Sequence, residues 1–294
     1  MELQITNLSK TYANGVRALH NVSLTIPSGM FGLLGPNGAG KSSLMRTIAT
    51  LQEPDSGSIR LGNLDVLTQK EAVRQVLGYL PQEFGLYPSI SADVLLDYFA
   101  GLKGIRDAQE RKQTVESLLQ QTNLWAARKK NLGGYSGGMK QRFGIAVALL
   151  GSPQLIIVDE PTAGLDPTER NRFLDLLSEI SDNVIVILST HIVEDVTELC
   201  SNMAIIASGE VIATGRPTDV IGEIRGKVYR TRTEKASLPT LRATHEVIST
   251  KLVAGSPVVR VFSETPINGE FTPVEATLED VYFHRLARKE MVGA

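Results

Sequence analysis

Phe31-Gly32-Leu33-Leu34-Gly35-Pro36-Asn37-Gly38-Ala39-Gly40-Lys41-Ser42 decides how this chain folds. Its first four residues form an apolar run of the kind that a strand buried on both faces requires. The rest fits the pattern G-x-x-x-x-G-K-S/T and lies between that strand and a helical segment beginning near Lys41. Glycines at 35, 38 and 40 let the backbone bend until successive N–H groups face an anion, and the helix N-terminus adds favourable potential. The stretch is therefore a loop for phosphates. Lys41 is placed to reach the β- and γ-phosphates of a nucleoside triphosphate. Ser42 is placed to put its hydroxyl on Mg2+, an ion that demands oxygen ligands.

Outward from this loop, continuous apolar runs recur at 76–80, 155–158, 184–188 and 203–207, which predicts a mostly parallel sheet. Between Glu2 and Ile26, short β-type segments flank the turn Ala13-Asn14-Gly15, and residues 57–62 add another, predicting an antiparallel layer. From about 83 to 150 the pattern turns helical: Val94, Leu95, Tyr98, Phe99 and Leu102 recur at helical spacing, as do Val115, Leu118 and Leu119. Asp166-Pro167-Thr168-Glu169 combines a cap, a first-turn proline and a glutamate three positions on, which starts a helix carrying Phe173, Leu174, Leu177 and Ile180. A hairpin is expected around Ser208-Gly209-Glu210. Beyond about 220 a separate set of strand signals follows, at 227–230, 246–250 and 258–262, then a closing helix from Leu278. Two units are expected, residues 1–220 and a small α+β unit over 221–294.

Leu155-Ile156-Ile157-Val158-Asp159-Glu160 delivers adjacent carboxylates at the C-terminal end of a strand, where ligands bind in open α/β sheets. Neighbouring strand side chains point to opposite faces, so the two carboxylates have different jobs. Asp159 is the candidate for holding Mg2+, and Glu160 for orienting and deprotonating an attacking water.

Composition narrows the function classes. A formal net charge of −2 provides no broad cationic field, so a nucleic-acid partner is not expected. Cys200 is the single cysteine and is expected to be a buried apolar residue in a reducing compartment. No secretory signal is expected, since Met1-Glu2-Leu3-Gln4-Ile5 lacks its cationic and apolar segments. No apolar run approaches the roughly 18–20 residues that cross a bilayer, so any membrane role depends on a partner.

Tyr135-Ser136-Gly137-Gly138-Met139-Lys140-Gln141-Arg142 precedes the carboxylate strand and opens a helix whose Met139, Phe143, Ala146, Val147 and Leu150 mark one apolar face. The helix N-terminus at Ser136, Gly137 and Gly138 is a second place for an anion. With this segment the chain resembles the ABC (ATP-binding cassette) ATPase family, whose signature loop has this form and position. The common signature is Leu-Ser-Gly-Gly-Gln, so Tyr135 and Met139 depart from it, and Met139 lacks the amide that glutamine supplies. The Tyr-Ser-Gly-Gly-Met form, like the closing Leu278-Glu279-Asp280-Val281-Tyr282-Phe283, resembles the bacterial branch that exports drugs, lipids and ions.

The resemblance covers about residues 2–220 and implies further roles. It implies an α/β fold with a P-loop NTPase core, an antiparallel β layer, a helical insertion and a C-terminal appendage. Nucleotide is implied to contact Gly35, Pro36, Asn37, Gly38, Ala39, Gly40, Lys41, Ser42 and Ser43. Gln82 in Leu80-Pro81-Gln82-Glu83 is similar to the glutamine that senses Mg2+ and links the site to the membrane subunit. Ala163-Gly164-Leu165-Asp166 is similar to the D-loop, with Asp166 near the nucleotide. His191 in Ser189-Thr190-His191 is implied to contact the γ-phosphate, and Tyr12 to stack on adenine. The family implies ATP and Mg2+ as cofactors and two ATP molecules sandwiched between two copies of the domain, with Ser136, Gly137 and Gly138 of one copy facing the ATP of the other. An integral membrane permease is the implied partner, reached through the helical insertion and Phe84-Gly85-Leu86-Tyr87-Pro88, which places the chain at the cytoplasmic face of the membrane. A soluble family member acting on ribosomes or DNA would be expected to show two cassettes, a long coiled coil or a basic surface. This chain shows none of these.

Overall fold

Strand β1 (Glu2–Thr11) turns at Gly15 (φ 83°) into β2 (Arg17–Pro27), and the hairpin's buried residues face each other in register: Leu3 with Ile26, Ile5 with Leu24, Leu8 with Val22. Such cross-strand apolar pairs hold the hairpin. A computed structural model describes residues 1–82, 85–162, 164–267 and 269–293, with side chains described as far as Lys289. Strand β3 (Gly29–Leu34) is buried from Met30 onward and feeds α1 (Lys41–Ile48) through the glycine-rich loop. Strands β4 (Ser56–Leu61) and β5 (Leu64–Asp65) complete an antiparallel layer in the order β2-β1-β4-β5.

Helix α2 (Lys70–Val76) runs directly into β6 (Leu77–Leu80). Val76, expected at the head of a strand, closes a helix instead, because sheet pairing begins at Leu77, opposite Leu155. The helical insertion comprises α3 (Ala92–Leu102), α4 (Ala108–Gln121) and α5 (Gly137–Ala148). Its helices start at Ala92, later than the expected 83, since residues 85–91 lack helical structure. Leu150 falls just past the end of α5 yet is fully buried in the core of the insertion, beside Phe143 and Ala146.

The second half of the core is β7 (Leu155–Asp159), α6 (Pro167–Ile180), β8 (Ile185–Thr190), α7 (Val193–Leu199), β9 (Asn202–Ala207) and β10 (Glu210–Gly215). These strands join β3 and β6 in a six-stranded sheet ordered β10-β9-β3-β8-β7-β6, parallel except for the edge strand β10. One face, through Ile157 and Ile187, packs on Ile5 of the antiparallel layer and on Leu44 and Met45 of α1. The other packs on helices through Phe173, Leu177 and Val196. This order brings the C-terminal ends of β3, β7 and β8 side by side, where the crevice of a parallel sheet takes its ligand.

After α8 (Pro217–Gly222), β11 (Val228–Arg232), α9 (Leu238–Thr244), β12 (Glu246–Val253), β13 (Ser256–Phe262) and β14 (Thr272–Pro273) form an antiparallel sheet ordered β12-β13-β11-β14. The closing helix α10 (Leu278–Gly293) returns to the main sheet. Ile248, Phe262, Leu278, Val281 and Tyr282 share one buried cluster with Met30, Leu34 and Val196. Each such burial stabilises by roughly 1.5–3 kcal/mol, so this segment is packed onto the core and not merely tethered to it.

Candidate active site

The glycine loop takes its shape from positions where a side chain would not fit. Gly40 has φ 107°, and a Cβ there would lie 2.4 Å from the carbonyl oxygen of Ala18. The loop closes on Lys41, which is 5% exposed and donates from Nζ to the carbonyl oxygens of Gly35 (2.6 Å) and Pro36 (3.3 Å). Its cation is thus held inside the loop at the N-terminus of α1, where the helix dipole already favours an anion. A cavity of about 320 Å3 opens there, lined by residues 36–43, Gln82 and Glu160. Gly35 lies buried beneath it.

Strand β7 ends in Asp159 (4% exposed), and Glu160 (8% exposed) follows with φ 49°. A left-handed backbone costs a residue with a Cβ about 1–2 kcal/mol. The contacts of Glu160 hold it there: its N–H donates to the carbonyl of Ser189 (2.9 Å), Oε1 lies 3.4 Å from Lys41 Nζ, and Oε2 lies 2.6 Å from His191 Nδ1. Pro161 next in the chain disfavours the ordinary helical alternative. Burial pushes the Asp159 carboxyl above its usual 3.8; the hydroxyls of Ser189 and Ser42 pull it back, the charge of Glu160 adds to the rise, and Lys41 opposes it. Oδ1 of Asp159 and Oε1 of Glu160 are buried without a hydrogen-bond partner.

Buried orphan oxygens signal something missing from the protein alone. The oxygens of Asp159, Ser42 and Gln82 are the hard donors that Mg2+ takes. Among the described residues no three His, Cys, Asp or Glu side chains stand together as a metal cage.

Tyr12, on the β1–β2 turn, is 37% exposed; its hydroxyl lies 2.9 Å from Ser43 Oγ and donates to Gln52 Oε1 at 3.1 Å. Its ring therefore stands beside the phosphate loop. Ser136, Gly137, Gly138 and Asp166 do not line the cavity. Ser136 caps α5, its Oγ accepting from Met139 N–H at 3.2 Å, and leaves itself and Gly137 exposed. Asp166 caps α6, its Oδ1 accepting from Glu169 N–H at 2.9 Å, with Pro167 in the first turn as expected. Ala163 lies outside the described residues. The middle of α5 is tied to the first turn of α6, since Arg142 donates to Glu169 at 2.8 Å.

Sequence reasoning missed three side chains around this site. Asp195 of α7 is fully buried and accepts from Thr162 Oγ1 (2.9 Å) and from Arg170 Nε (2.8 Å). Arg170 in turn has its already basic guanidinium held above the usual value; burial opposes the rise, and the bond and charge of Asp195 outweigh it. In sequence Asp195 is one of two acidic residues in the first turn of a short helix, a bland place for a carboxylate.

Comparison with known proteins agrees with this geometry. The ABC transporter family pattern matches residues 19–163. The linearmycin resistance ATP-binding protein LnrL of Bacillus subtilis is 36% identical over 226 residues, covering 76% of this chain and 72% of its own length. The daunorubicin/doxorubicin resistance ATP-binding protein DrrA of Streptomyces peucetius is 34% identical over 236 residues, covering 80% and 71%. Among solved structures, a dimeric post-hydrolysis state of the ATP-binding cassette MJ0796 bound to ADP and Pi superposes with TM-score 0.66 at 27% identity, covering 73% of this chain and 98% of that one. The chain is accordingly a member of the ABC transporter family, an ATP-binding and ATP-hydrolysing subunit built on a P-loop α/β fold.

Proposed function

We propose that this chain is the motor of an ABC exporter, in which two copies close on two Mg-ATP molecules and hydrolysis lets them part. The observation that supports it best is Glu160, buried at the mouth of the phosphate loop between Lys41 and His191. Lys41 and the N–H groups of residues 37–43 bind the phosphates, and Tyr12 stacks on adenine. Asp159, Ser42 and Gln82 hold Mg2+, which offsets negative charge on the phosphate oxygens when bound. Glu160 takes the proton of the attacking water as that water's oxygen bonds to the γ-phosphorus and the bond from the γ-phosphorus to the bridging oxygen breaks. The products are ADP and phosphate. His191 orients Glu160 and meets the γ-phosphate. Ser136, Gly137, Gly138 and Asp166, set away from the chain's own cavity, serve the ATP held by the partner copy.

The pathway is assigned in this reading to a separate permease, with this chain at its cytoplasmic face; among the described residues no helix is long and apolar enough to cross a membrane. Val94, Tyr98 and Leu102 form one exposed apolar face of α3, and Tyr87 is exposed nearby in sequence. This face is the docking surface; Phe84, also expected there, lies outside the described residues. Export, as opposed to import, is supported by the resistance functions named for LnrL and DrrA. Residues 221–294 act as an accessory unit. The test is affinity purification from membranes with Glu160→Gln protein and Mg-ATP: a nucleotide-dependent dimer with a polytopic partner is expected, and a permanent monomer without one would refute the motor reading.

A further inference from the structure

Asp195 has no place in the hydrolytic chemistry above, yet it is 0% exposed and collects hydrogen bonds from three separate elements. Oδ2 accepts from Thr162 Oγ1 at 2.9 Å and from Thr190 Oγ1 at 3.4 Å. Oδ1 accepts from Arg170 Nε at 2.8 Å and also from Arg170 Nη2. Thr162 is two residues past Glu160, and Thr190 immediately precedes His191. Thr190 Oγ1 also accepts from Ile192 N–H at 2.9 Å, so the backbone is pinned on both sides of the imidazole. One carboxylate thus anchors the two loops whose tips meet as Glu160 and His191, 2.6 Å apart.

Packing alone does not call for this arrangement. A buried carboxylate is expensive unless charge-paired and hydrogen-bonded, and an apolar residue would fill the same space at less cost. What an apolar residue cannot do is fix two hydroxyls that belong to different loops. Arg170 supplies the compensating charge from α6, so the anchor is referred to a rigid helix and not to another loop.

We propose that Asp195 is a positioning residue that sets the Glu160–His191 contact through Thr162 and Thr190, with Arg170 as its counter-ion. The inference rests on Glu160 being the base. It works through geometry, since misplacing a reacting group by about 1 Å can cost roughly a hundredfold in rate. ATP is held chiefly by the phosphate loop and Tyr12, neither of which touches Asp195, and His191 adds a single γ-phosphate contact, so nucleotide affinity changes little.

The test is steady-state ATPase kinetics of Asp195→Asn, Thr162→Val, Thr190→Val and the double threonine variant, alongside thermal melting and Mg-ATP binding. The valines keep side-chain shape and fold even if Asp195→Asn does not. Expected is a fall in kcat of about tenfold to a hundredfold for the double variant and Asp195→Asn, and a smaller fall for each single valine, with KM and nucleotide Kd within about twofold. Thr162→Ser and Thr190→Ser, which keep the hydroxyls, should hold kcat close to the parent whatever their melting temperature, which loss of stability alone would not give. A lowered melting temperature with kcat unchanged, or a raised KM with kcat unchanged, overturns the proposal. Wild-type turnover in Glu160→Gln would instead remove the base on which it rests, so the two failures are distinguishable.

Discussion

Oε2 of Glu160 and Nδ1 of His191 stand 2.6 Å apart, joining the tips of two neighbouring parallel strands that are 31 positions apart in sequence. Because the same carboxylate also faces Lys41 at 3.4 Å, it is oriented from both sides. Glu160→Gln keeps the shape but removes the base, so turnover should fall about a hundred- to ten-thousandfold while Mg-ATP binding persists. Single-turnover assays beside equilibrium binding check this, and undiminished turnover would strip Glu160 of its role.

Gly137 and Gly138 are adjacent but answer to different constraints. A Cβ on Gly138 would lie 2.2 Å from Glu169 Oε2, the atom that accepts from Arg142, whereas a Cβ on Gly137 meets only Leu165 at 3.9 Å. Gly138→Ala should therefore cost about 1–3 kcal/mol of stability through overpacking. Gly137→Asp should melt like the parent or slightly higher, an acid being welcome in a first helical turn. It should nevertheless abolish ATP-driven dimerisation by repelling the partner's phosphates. Calorimetry and sizing separate the two effects, and equal melting of both variants would contradict the steric argument.

Burial holds the Asp159 carboxyl above its ordinary 3.8, so the folded state retains this proton more readily than the unfolded chain does. The contribution of Asp159 to stability is therefore greatest below pH 3.8 and declines as pH rises from 3.8 through the folded value. Asp159→Asn should make the nucleotide-free protein more stable at pH 7, with the gap to the parent closing toward acid. The added stability that Mg2+ gives the parent with ATP should be missing. Denaturant titrations across the pH range provide the check; a destabilised variant at neutral pH would rule the account out.

Cys200 is 6% exposed at the end of α7, and burial pushes its thiol up to about 12. Since the thiolate is the nucleophile, alkylation at pH 8 should be about a thousandfold slower in the folded protein than in denatured chain. Rapid labelling of native protein would mean that α7 opens readily, loosening the anchor that Asp195 provides.

The loop at 35–42, the apolar strands and the capped start of α6 were legible in the sequence because each is set by contacts within a few residues. Glycine supplies the backbone angles, alternation or continuity of apolar residues states which faces are buried, and aspartate before proline starts a helix. The candidate site was legible as separate pieces for the same reason. Element extents misread: Val76 continues the apolar run but lies before the first residue that β7 pairs, Val184 lies before β8, and the insertion's helices start at Ala92 and not at 83, since pairing and packing are not local properties.

What the chain order left open was which pieces meet. Glu160 facing both Lys41 and His191 follows from β7, β8 and β3 being consecutive in the sheet, an order that no single segment encodes. The hydroxyl of Tyr12 beside Ser43, and the signature residues lying apart from the chain's own phosphate loop, depend on the same packing. Asp195 shows the division best. As a letter it is an acid in the first turn of a short helix; buried between Thr162, Thr190 and Arg170 it is an anchor for two loops. Local backbone preferences determined the elements and the phosphate loop from sequence alone, while the burial that gives a carboxylate its partners arises only when distant elements pack, and so was decided by the tertiary structure.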